Sequence, residues 1–459
     1  SCSFPTVMLR ETMLKAGAVG LLAIGGYWYV AKRRKRARGF VAPRVPASDT
    51  QLVAEYELSY VDRDESGRVG GITAFDAVDT GRSCSFKALM QREDTVLYTY
   101  DLTQKILIFM TVPDKAALWK EPFLDRGVRK LANKAVFVCR IETAVQYINA
   151  HKDALPDPSR DTFLFVWNTG RCGSTLLARL TTAASDSVTL SEPWWVDQLL
   201  RDSKILEAEP ATMDQLVRLL HVVDFHLART LVPAATGNML YSLNPKGLAG
   251  FLREPALRVF PDAKHLFMYR DQTKVVESFG SIMGSPPVTT PLAKMQMAVD
   301  KFIGGPQGPA PGERSPVSRH LSAVQGDLKL PSKMLAKMFG FMWTDAMLSW
   351  MEFVEDHKDL EVLTLRMDEF VTRDLAQREA IVKKVLTFAH VSYSAPGALV
   401  RAMAVFDTHS QAGSAMEKSS AKTGKKFLTQ QDVQELHELC AQVASIGKPS
   451  FVIPGSLGT

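Results

Sequence analysis

The sequence predicts an α/β fold in which helices flank a central parallel sheet. The segment 163–167 (FLFVW) is a continuous apolar run, which is typical of a strand buried on both faces. A glycine-containing loop follows it, and STLLARLTTAA then has the pattern of a helix. Two later apolar runs, 265–269 and 360–365, are further strand candidates with helical sequence nearby. Because strands that alternate with helices form parallel sheets, we expect these segments to share one sheet.

The positive charge of the chain is concentrated in one short segment. The formal net charge is +6, and residues 32–38 alone contain six basic side chains. Without these six, the 55 basic residues fall to 49 and equal the 49 acidic ones. Nucleic-acid binding requires a basic face on the folded domain, so we predict no nucleic-acid partner. The five cysteines are scattered and form no Cys-x-x-Cys pair, so we expect reduced thiols and no metal site, with a single disulfide between distant cysteines as the alternative.

The N-terminal region contains a candidate membrane anchor. Residues 16–31 form an uncharged run bounded by Lys15 and Lys32, with three aromatic residues at 27–29. As a helix the run would span about 24 Å, slightly less than a hydrocarbon core about 30 Å thick. A cleaved signal peptide and a soluble helix are the alternatives. The basic flank disfavours a signal peptide, which normally ends in small residues.

The chain divides into three predicted parts. Residues 1–40 contain the anchor and its basic flank, residues 41–157 a linker and a mixed α+β extension, and residues 158–459 the α/β domain. In the extension, VLYTYDL and KILIFMTV have the composition of strands, and residues 143–150 have that of a helix. We find no chemical motif there. A structural extension packed on the main domain is therefore expected.

The strongest chemical motif is the loop after the first strand of the α/β domain. It reads Asn-Thr-Gly-Arg-Cys-Gly-Ser-Thr over residues 168–175 and leads into a helix. Backbone N–H groups and the helix dipole make such a loop an anion site. Its glycines permit close backbone approach, its hydroxyls add donors, and its arginine adds a permanent charge. The candidate anion-binding residues are Gly170, Arg171, Cys172, Gly173, Ser174 and Thr175.

The same loop disfavours hydrolysis of ATP or GTP. A loop that binds their β- and γ-phosphates reads GxxxxGK[ST], and here Gly-Ser-Thr replaces Gly-Lys-Ser/Thr. The missing lysine argues for a smaller anion. Cys172, at the helix N-terminus beside Arg171, is in a position that favours its thiolate, but we expect a role in packing or backbone positioning over a redox role.

A second motif, FPDAKHLFMYRD over residues 260–271, places Arg270 at the end of a predicted strand and Ser278 on the following helix. The two motifs together resemble the sulfotransferase family that uses 3′-phosphoadenosine 5′-phosphosulfate (PAPS), and are most similar to trehalose-type members with an arginine in the loop. The resemblance covers roughly residues 160–430. It implies a P-loop fold in which residues 171–175 hold the 5′-phosphosulfate, while Arg270 and Ser278 hold the 3′-phosphate.

The resemblance leaves the catalytic base open. Many members use a histidine in a Lys-x-His segment, but the corresponding stretch 241–247 contains Lys246 and no histidine. Glu192, in Leu-Ser-Glu-Pro-Trp, is similar to the glutamate base of trehalose-type members. Desolvation by the neighbouring Trp194 and Trp195 is expected to raise its pKa. An ordinary surface glutamate is the alternative.

The resemblance implies transfer of a sulfuryl group from PAPS to a hydroxyl-bearing acceptor without a metal. Glu192, Arg171 and Lys246 are the expected catalytic residues. Lys422 and Lys425, in the basic stretch 418–426, are candidates to cover the 3′-phosphate, with a solvated loop as the alternative. Two other functions stay open: a membrane-tethered protein that binds PAPS without turnover, and a nucleotide kinase. Sugars, lipids and phenols are all open as the acceptor.

The charge around residues 16–31 predicts where the catalytic domain lies. Six basic residues follow the run within 32–38, whereas only Arg10 and Lys15 precede it closely. The positive-inside rule therefore predicts a single-pass membrane protein whose catalytic domain is cytoplasmic. The alternative is the Golgi lumen, because membrane-bound sulfotransferases of animals usually resemble type II Golgi proteins.

Overall fold

The computed structural model describes the chain in a series of ranges that begin after the N-terminal region. The described residues are 52–61, 75–114, 118, 127–128, 135–152, 155, 162–184, 188–201, 209–229, 240–244, 249–283, 334–391, 393, 396–407, 426–443 and 445–457.

These residues form two five-stranded sheets with helices around them. The strands are β1 (Leu52–Val61), β2 (Phe75–Ser85), β3 (Thr95–Asp101), β4 (Ile106–Thr111), β5 (Ala135–Arg140), β6 (Thr162–Asn168), β7 (Val188–Ser191), β8 (Leu240–Asn244), β9 (Lys264–Tyr269) and β10 (Val362–Arg366). The helices are α1 (Phe86–Met90), α2 (Ile141–Ala150), α3 (Ser174–Ala184), α4 (Trp194–Arg201), α5 (Pro210–Arg229), α6 (Arg253–Val259), α7 (Gln272–Met283), α8 (Met334–Asp356), α9 (Met367–Phe370), α10 (Leu375–Phe388), α11 (Ala398–Ala404) and α12 (Gln430–Ala441). Short 3₁₀ turns cover Ala249–Leu252 and Val405–Asp407.

The second sheet is the parallel sheet that the sequence predicted. Its strand order is β10-β9-β6-β8-β7, and each neighbouring pair is parallel. The apolar run 163–167 forms β6 at the centre, and the two later runs form β9 and β10. Because the strands are parallel, their carboxyl ends lie along one edge, where ligands of α/β proteins bind. The prediction of an α/β fold with a parallel sheet is confirmed.

The side chains of β6 alternate between two cores. Phe163, Phe165 and Trp167 belong to a cluster that also contains buried residues of α5 and α8. Leu164 and Val166 belong to a second cluster, with residues of α3 and α10. All five side chains are buried. Since both faces of the strand are covered, all five of these positions are apolar, which explains the continuous run in the sequence.

The first sheet is antiparallel and is built from the N-terminal extension. Its order is β2-β1-β5-β4-β3. Strand β3, at one edge, contacts both α4 and α5 of the α/β region. One buried apolar cluster runs from Val138 in β5 to Trp195 in α4 and Phe225 in α5. The extension is therefore a mixed α+β structure that shares a core with the parallel sheet.

The prediction of a single-pass membrane protein with a cytoplasmic catalytic domain requires correction. Within the described ranges no helix combines the length and apolarity that crossing a bilayer demands. The run 16–31, on which the prediction depended, lies outside the described residues, as does the basic flank 32–38. The membrane helix and the membrane partner therefore have no support from the structure.

Candidate active site

The glycine loop leaves the centre of the parallel sheet and leads directly into α3. Gly170, Arg171 and Gly173 have φ angles of 76°, 52° and 88°, so the chain turns sharply between β6 and the helix. The N–H of Gly170 donates to Oδ1 of Asn168 at 2.8 Å, and the N–H of Thr169 donates to the carbonyl of Met268 in β9 at 3.1 Å. The loop is thus fixed to two strand ends, and the first turn of α3 faces it.

Glycine is required at residue 170 for two reasons. Its φ of 76° lies in the left-handed region, and a Cβ atom there would lie 2.8 Å from Cζ of Phe279. The Phe279 ring is itself stacked on Phe339, with centroids 4.3 Å apart, so it has little room to move. Phe279 follows Ser278 in α7, which means that this packing sets the distance between the two sequence motifs.

We expect Gly170→Ala to reduce both stability and nucleotide affinity. The left-handed backbone should cost about 1–2 kcal/mol, and displacement of Phe279 about 1–3 kcal/mol more. Gly81→Ala is the matched control, because Gly81 has a φ of 70° but a Cβ there would meet nothing within 4 Å. Denaturant unfolding and calorimetry would measure the two effects. Equal destabilisation by both substitutions would contradict the role of Phe279.

Cys172 is a neutral thiol, so the thiolate expected from the sequence is wrong. The side chain is fully buried beneath the loop, and burial raises its pKa to about 11, although hydrogen bonds from Ser174 and Thr169 favour the charged form. Desolvation outweighs the helix N-terminus here, since a charge in the core loses its hydration. Cys172 packs with Val166 and Leu177 and supports the loop from below.

Arg171 connects the two motifs. Its Nε donates to Oγ of Ser278 at 2.9 Å, across 107 residues of sequence. Ser278 is buried in α7, and Arg171 is half-buried. The sequence assigned Arg171 to the 5′ end of the ligand and Ser278 to its 3′ end. In the fold the two side chains touch, so one guanidinium lies between the loop and the residue expected at the 3′-phosphate.

Arg270 follows the carboxyl end of β9, as the sequence predicted for a strand-end arginine. Its carbonyl oxygen accepts a hydrogen bond from Nε1 of Trp343 at 2.7 Å, which holds the backbone. The side chain is 22% exposed, and its buried Nε has no hydrogen-bond partner among the described residues. Its ion-pair partner is Asp368, whose Oδ1 lies 3.7 Å from Nε. Lys274 shares that carboxylate, at 3.0 Å.

The acidic pair Asp368 and Glu369 was not predicted as part of the site. The pair lies in the first turn of α9, which follows β10 directly, and Met367 beside it lies 3.5 Å from where a Cβ of Gly173 would be. Burial is the main cause that raises the pKa of Glu369, and Arg366 opposes this effect. The signal was present in LTLRMDEFV, where two carboxylates follow a strand that ends at the same edge as β6.

Glu192 lies at the carboxyl end of β7, at the same edge of the sheet as the loop. Ser191, the last residue of β7, pairs with Asn244 at the end of β8. Glu192 is half-buried and has a φ of 54°, unusual for a residue with a side chain. Trp195 does not remain on the surface beside it, because its ring is buried in the core. The raised pKa expected for Glu192 stays a prediction.

The sequence also did not predict a buried hydrogen bond between Trp195 and Asp224, close to Glu192 along the chain. Nε1 of Trp195 donates to Oδ2 of Asp224 at 2.6 Å, and both side chains are buried. Burial raises the pKa of Asp224 to about 7, although the hydrogen bond from Trp195 favours the charged form. The available signal was a carboxylate within the apolar pattern HVVDFHLA of α5.

Three predicted basic residues lie outside the described residues: Lys246, Lys422 and Lys425. The chain after the basic stretch is anchored beside the site. The backbone N–H groups of Phe427 and Leu428 donate to the Glu277 carboxylate at 2.7 and 2.8 Å. Glu277 directly precedes Ser278, so residue 427 lies close to the helix turn that carries the predicted 3′-phosphate contact.

No family model and no curated protein matches the chain. Solved structures do. The sulfotransferase domain of the Synechococcus PCC 7002 olefin synthase has a TM-score of 0.31 and 12% sequence identity. The match covers 66% of this chain and 92% of that domain. The sulfotransferase domain of the curacin biosynthetic pathway has a TM-score of 0.31 and 14% sequence identity, and the match covers 65% of this chain and 94% of that domain. A Mycobacterium avium sulfotransferase has a TM-score of 0.29 and 15% sequence identity, and the match covers 57% of this chain and 71% of that protein.

These values describe a distant likeness and carry no argument about substrate or reaction. These three solved structures are sulfotransferases, the family that the two motifs of this chain resemble.

Proposed function

We propose that this protein transfers a sulfuryl group from PAPS to a hydroxyl-bearing acceptor. The hydrogen bond from Arg171 to Ser278 is the observation that carries the proposal. It joins the loop expected to bind a phosphosulfate to the helix expected to bind a second phosphate. A ligand with anionic groups at both ends, such as PAPS, would find donors on both sides of this contact.

The residues around the contact fit such a ligand. Gly170 and Gly173 bring the backbone close to the 5′ end, where the first turn of α3 and the hydroxyls of Ser174 and Thr175 supply donors. At the 3′ end, Arg270 carries a buried Nε without a hydrogen-bond partner in the described part of the chain. An unsatisfied buried guanidinium donor is costly, and a phosphate oxygen would satisfy it. Ser278 follows on α7, eight residues after Arg270, and Lys422 and Lys425 are proposed to cover the same phosphate.

In this proposal PAPS supplies an activated sulfuryl group, and the chain supplies proton transfer and charge. Glu192, at the sheet edge that holds the loop, would take the proton from the acceptor hydroxyl as it attacks. Arg171 would stabilise negative charge that develops on the transferred group and its bridging oxygen, since a fixed guanidinium requires little reorganisation. Lys246 is proposed to assist departure of the phosphate.

Two rival functions make different predictions. A nucleotide kinase needs a lysine that reaches the β- and γ-phosphates, and residue 174 of the loop is serine instead. A protein that binds PAPS without turnover would keep the loop, Arg270 and Ser278 but would transfer no sulfuryl group to sugar, sterol or phenol acceptors. Labelled PAPS with a panel of these acceptors separates the enzyme from the binding protein.

Calorimetry with nucleotides tests the donor site without an acceptor. We expect adenosine 3′,5′-bisphosphate to bind about 10- to 150-fold more tightly than adenosine 5′-monophosphate, since one charged hydrogen bond contributes about 1.5–3 kcal/mol. ATP should bind more weakly than the bisphosphate. Equal affinity for the two adenosine phosphates, or a preference for ATP, would refute the proposed donor.

A further inference from the structure

Helix α4 begins two residues after Glu192 and is held at its first turn by a buried hydrogen bond. Trp195 is fully buried, and its Nε1 donates to Oδ2 of Asp224 at 2.6 Å. Asp224 lies in α5, far along the chain from the loop, and is 3% exposed. The ring of His221, one turn earlier in α5, meets the Trp195 ring edge-on at 4.9 Å. The Trp195 ring therefore has a fixed position and a fixed orientation.

Few flexible bonds separate Trp195 from Glu192. Pro193 is buried, and its own ring fixes its φ near −65°. The N–H of Val196 donates to the Pro193 carbonyl at 3.2 Å, which closes the first turn of α4 on that proline. Glu192 itself has a φ of 54°, a conformation that persists only where the surroundings impose it. The position of α4 thus determines the direction in which the Glu192 side chain leaves the backbone.

A hydrogen bond at this point adds direction that apolar packing would lack. A buried carboxylate loses its hydration, so an apolar pair of the same shape would be similarly stable or more stable. The bond adds a directional constraint on the indole to the constraint of shape that the surrounding core imposes. Helix α4 also contacts β3 of the antiparallel sheet, and α5 contacts the same strand. The N-terminal sheet therefore supports the helix pair that carries the bond.

We propose that the Trp195–Asp224 hydrogen bond is a positioning device that sets the geometry of Glu192 at the acceptor end of the site. Asp224 acts through Trp195 and α4 and touches no substrate. The inference rests on the proposed role of Glu192 as the base. The inference also gives the N-terminal sheet a role in positioning Glu192, since strand β3 of that sheet contacts α4 and α5.

Hydrogen exchange tests the positioning without any substrate. In Asp224→Ala we expect the amides of residues 194–198 to exchange at least about tenfold faster than in the wild type, because the first turn of α4 opens more often. Asp224→Asn keeps an acceptor oxygen for the indole, so exchange should stay close to the wild-type rate. Trp195→Phe keeps a ring but removes the donor, and should behave like Asp224→Ala. It also serves as the second variant should Asp224→Ala fail to fold.

Turnover of labelled PAPS with the best acceptor of the panel tests whether loss of the Trp195–Asp224 hydrogen bond slows the reaction. We expect kcat to fall about 10- to 100-fold in Asp224→Ala, since small displacements of a reacting group cost this much. The Kd for adenosine 3′,5′-bisphosphate should be unchanged, and Asp224→Asn should restore most of kcat. Val382→Ala, a truncation of α10 in the core cluster that does not contain Trp195, should lower the melting temperature without this loss of kcat.

The double variant Glu192→Gln/Asp224→Ala separates the inference from the proposed function. If Asp224 acts through Glu192, the double variant should be no slower than Glu192→Gln alone. Wild-type exchange at residues 194–198 in both Asp224→Ala and Trp195→Phe would overturn the positioning role, whatever the turnover. Additive losses in the double variant would also overturn it. If the wild type fails to turn over PAPS, the proposed function fails, and hydrogen exchange still decides whether the bond fixes α4.

Discussion

Replacement of Glu192 by glutamine should reduce turnover of PAPS by about 10²–10⁴-fold, because the amide keeps the shape of the side chain but cannot accept a proton. The position of Glu192 supports this expectation. It follows β7 at the carboxyl edge of the sheet, where the loop from β6 also leaves. Rapid-mix measurements of single turnovers with a saturating acceptor would report the chemical step without product release.

Nucleotide binding should be preserved in Glu192→Gln, since no donor contact is assigned to this side chain. Glu361→Gln is the matched control, because Glu361 is an exposed carboxylate before β10 at the opposite edge of the sheet. It should leave turnover and binding unchanged. Near wild-type turnover in Glu192→Gln would mean that the base lies elsewhere, and the segment 244–246 would be the next to test.

Replacement of Arg270 by alanine should weaken binding of adenosine 3′,5′-bisphosphate about 10- to 150-fold, equivalent to loss of a charged hydrogen bond of about 1.5–3 kcal/mol. The buried Nε of Arg270 has no hydrogen-bond partner within the described ranges, and Asp368 at 3.7 Å is too distant to supply one. The affinity for adenosine 5′-monophosphate should hardly change. Calorimetry with both ligands measures the difference.

Lys274→Ala is the control for Arg270→Ala. Lys274 pairs with the same Asp368 carboxylate at 3.0 Å, but its side chain is 50% exposed. Both substitutions remove a partner of Asp368, whereas only Arg270→Ala removes the proposed phosphate donor. An exposed pair contributes little, so Lys274→Ala should change affinity less than about threefold. A loss from Arg270→Ala that is equal for both nucleotides would contradict the 3′-phosphate assignment.

Local patterns in the sequence determined the parallel sheet and the two motifs. The apolar run before the loop predicted β6 because a strand covered on both faces must be apolar throughout. The loop composition predicted a sharp turn into a helix, and three residues there do have positive φ angles. The end of β9 predicted the position of Arg270 in the same way. These features depend on a few consecutive residues, so a single sequence is enough to find them.

The contacts and protonation states within the site depend on tertiary packing. Arg171 and Ser278 are 107 positions apart, and the sequence between them does not indicate that their side chains touch; only the pairing of β6 with β9 brings the loop to α7. The neutral state of Cys172 depends on complete burial, which composition near the helix N-terminus did not indicate. The bond between Trp195 and Asp224 joins two helices whose approach depends on the whole core. Desolvation and long-range contacts depend on which residues surround a side chain in space, and the order of residues in the sequence does not reveal these neighbours.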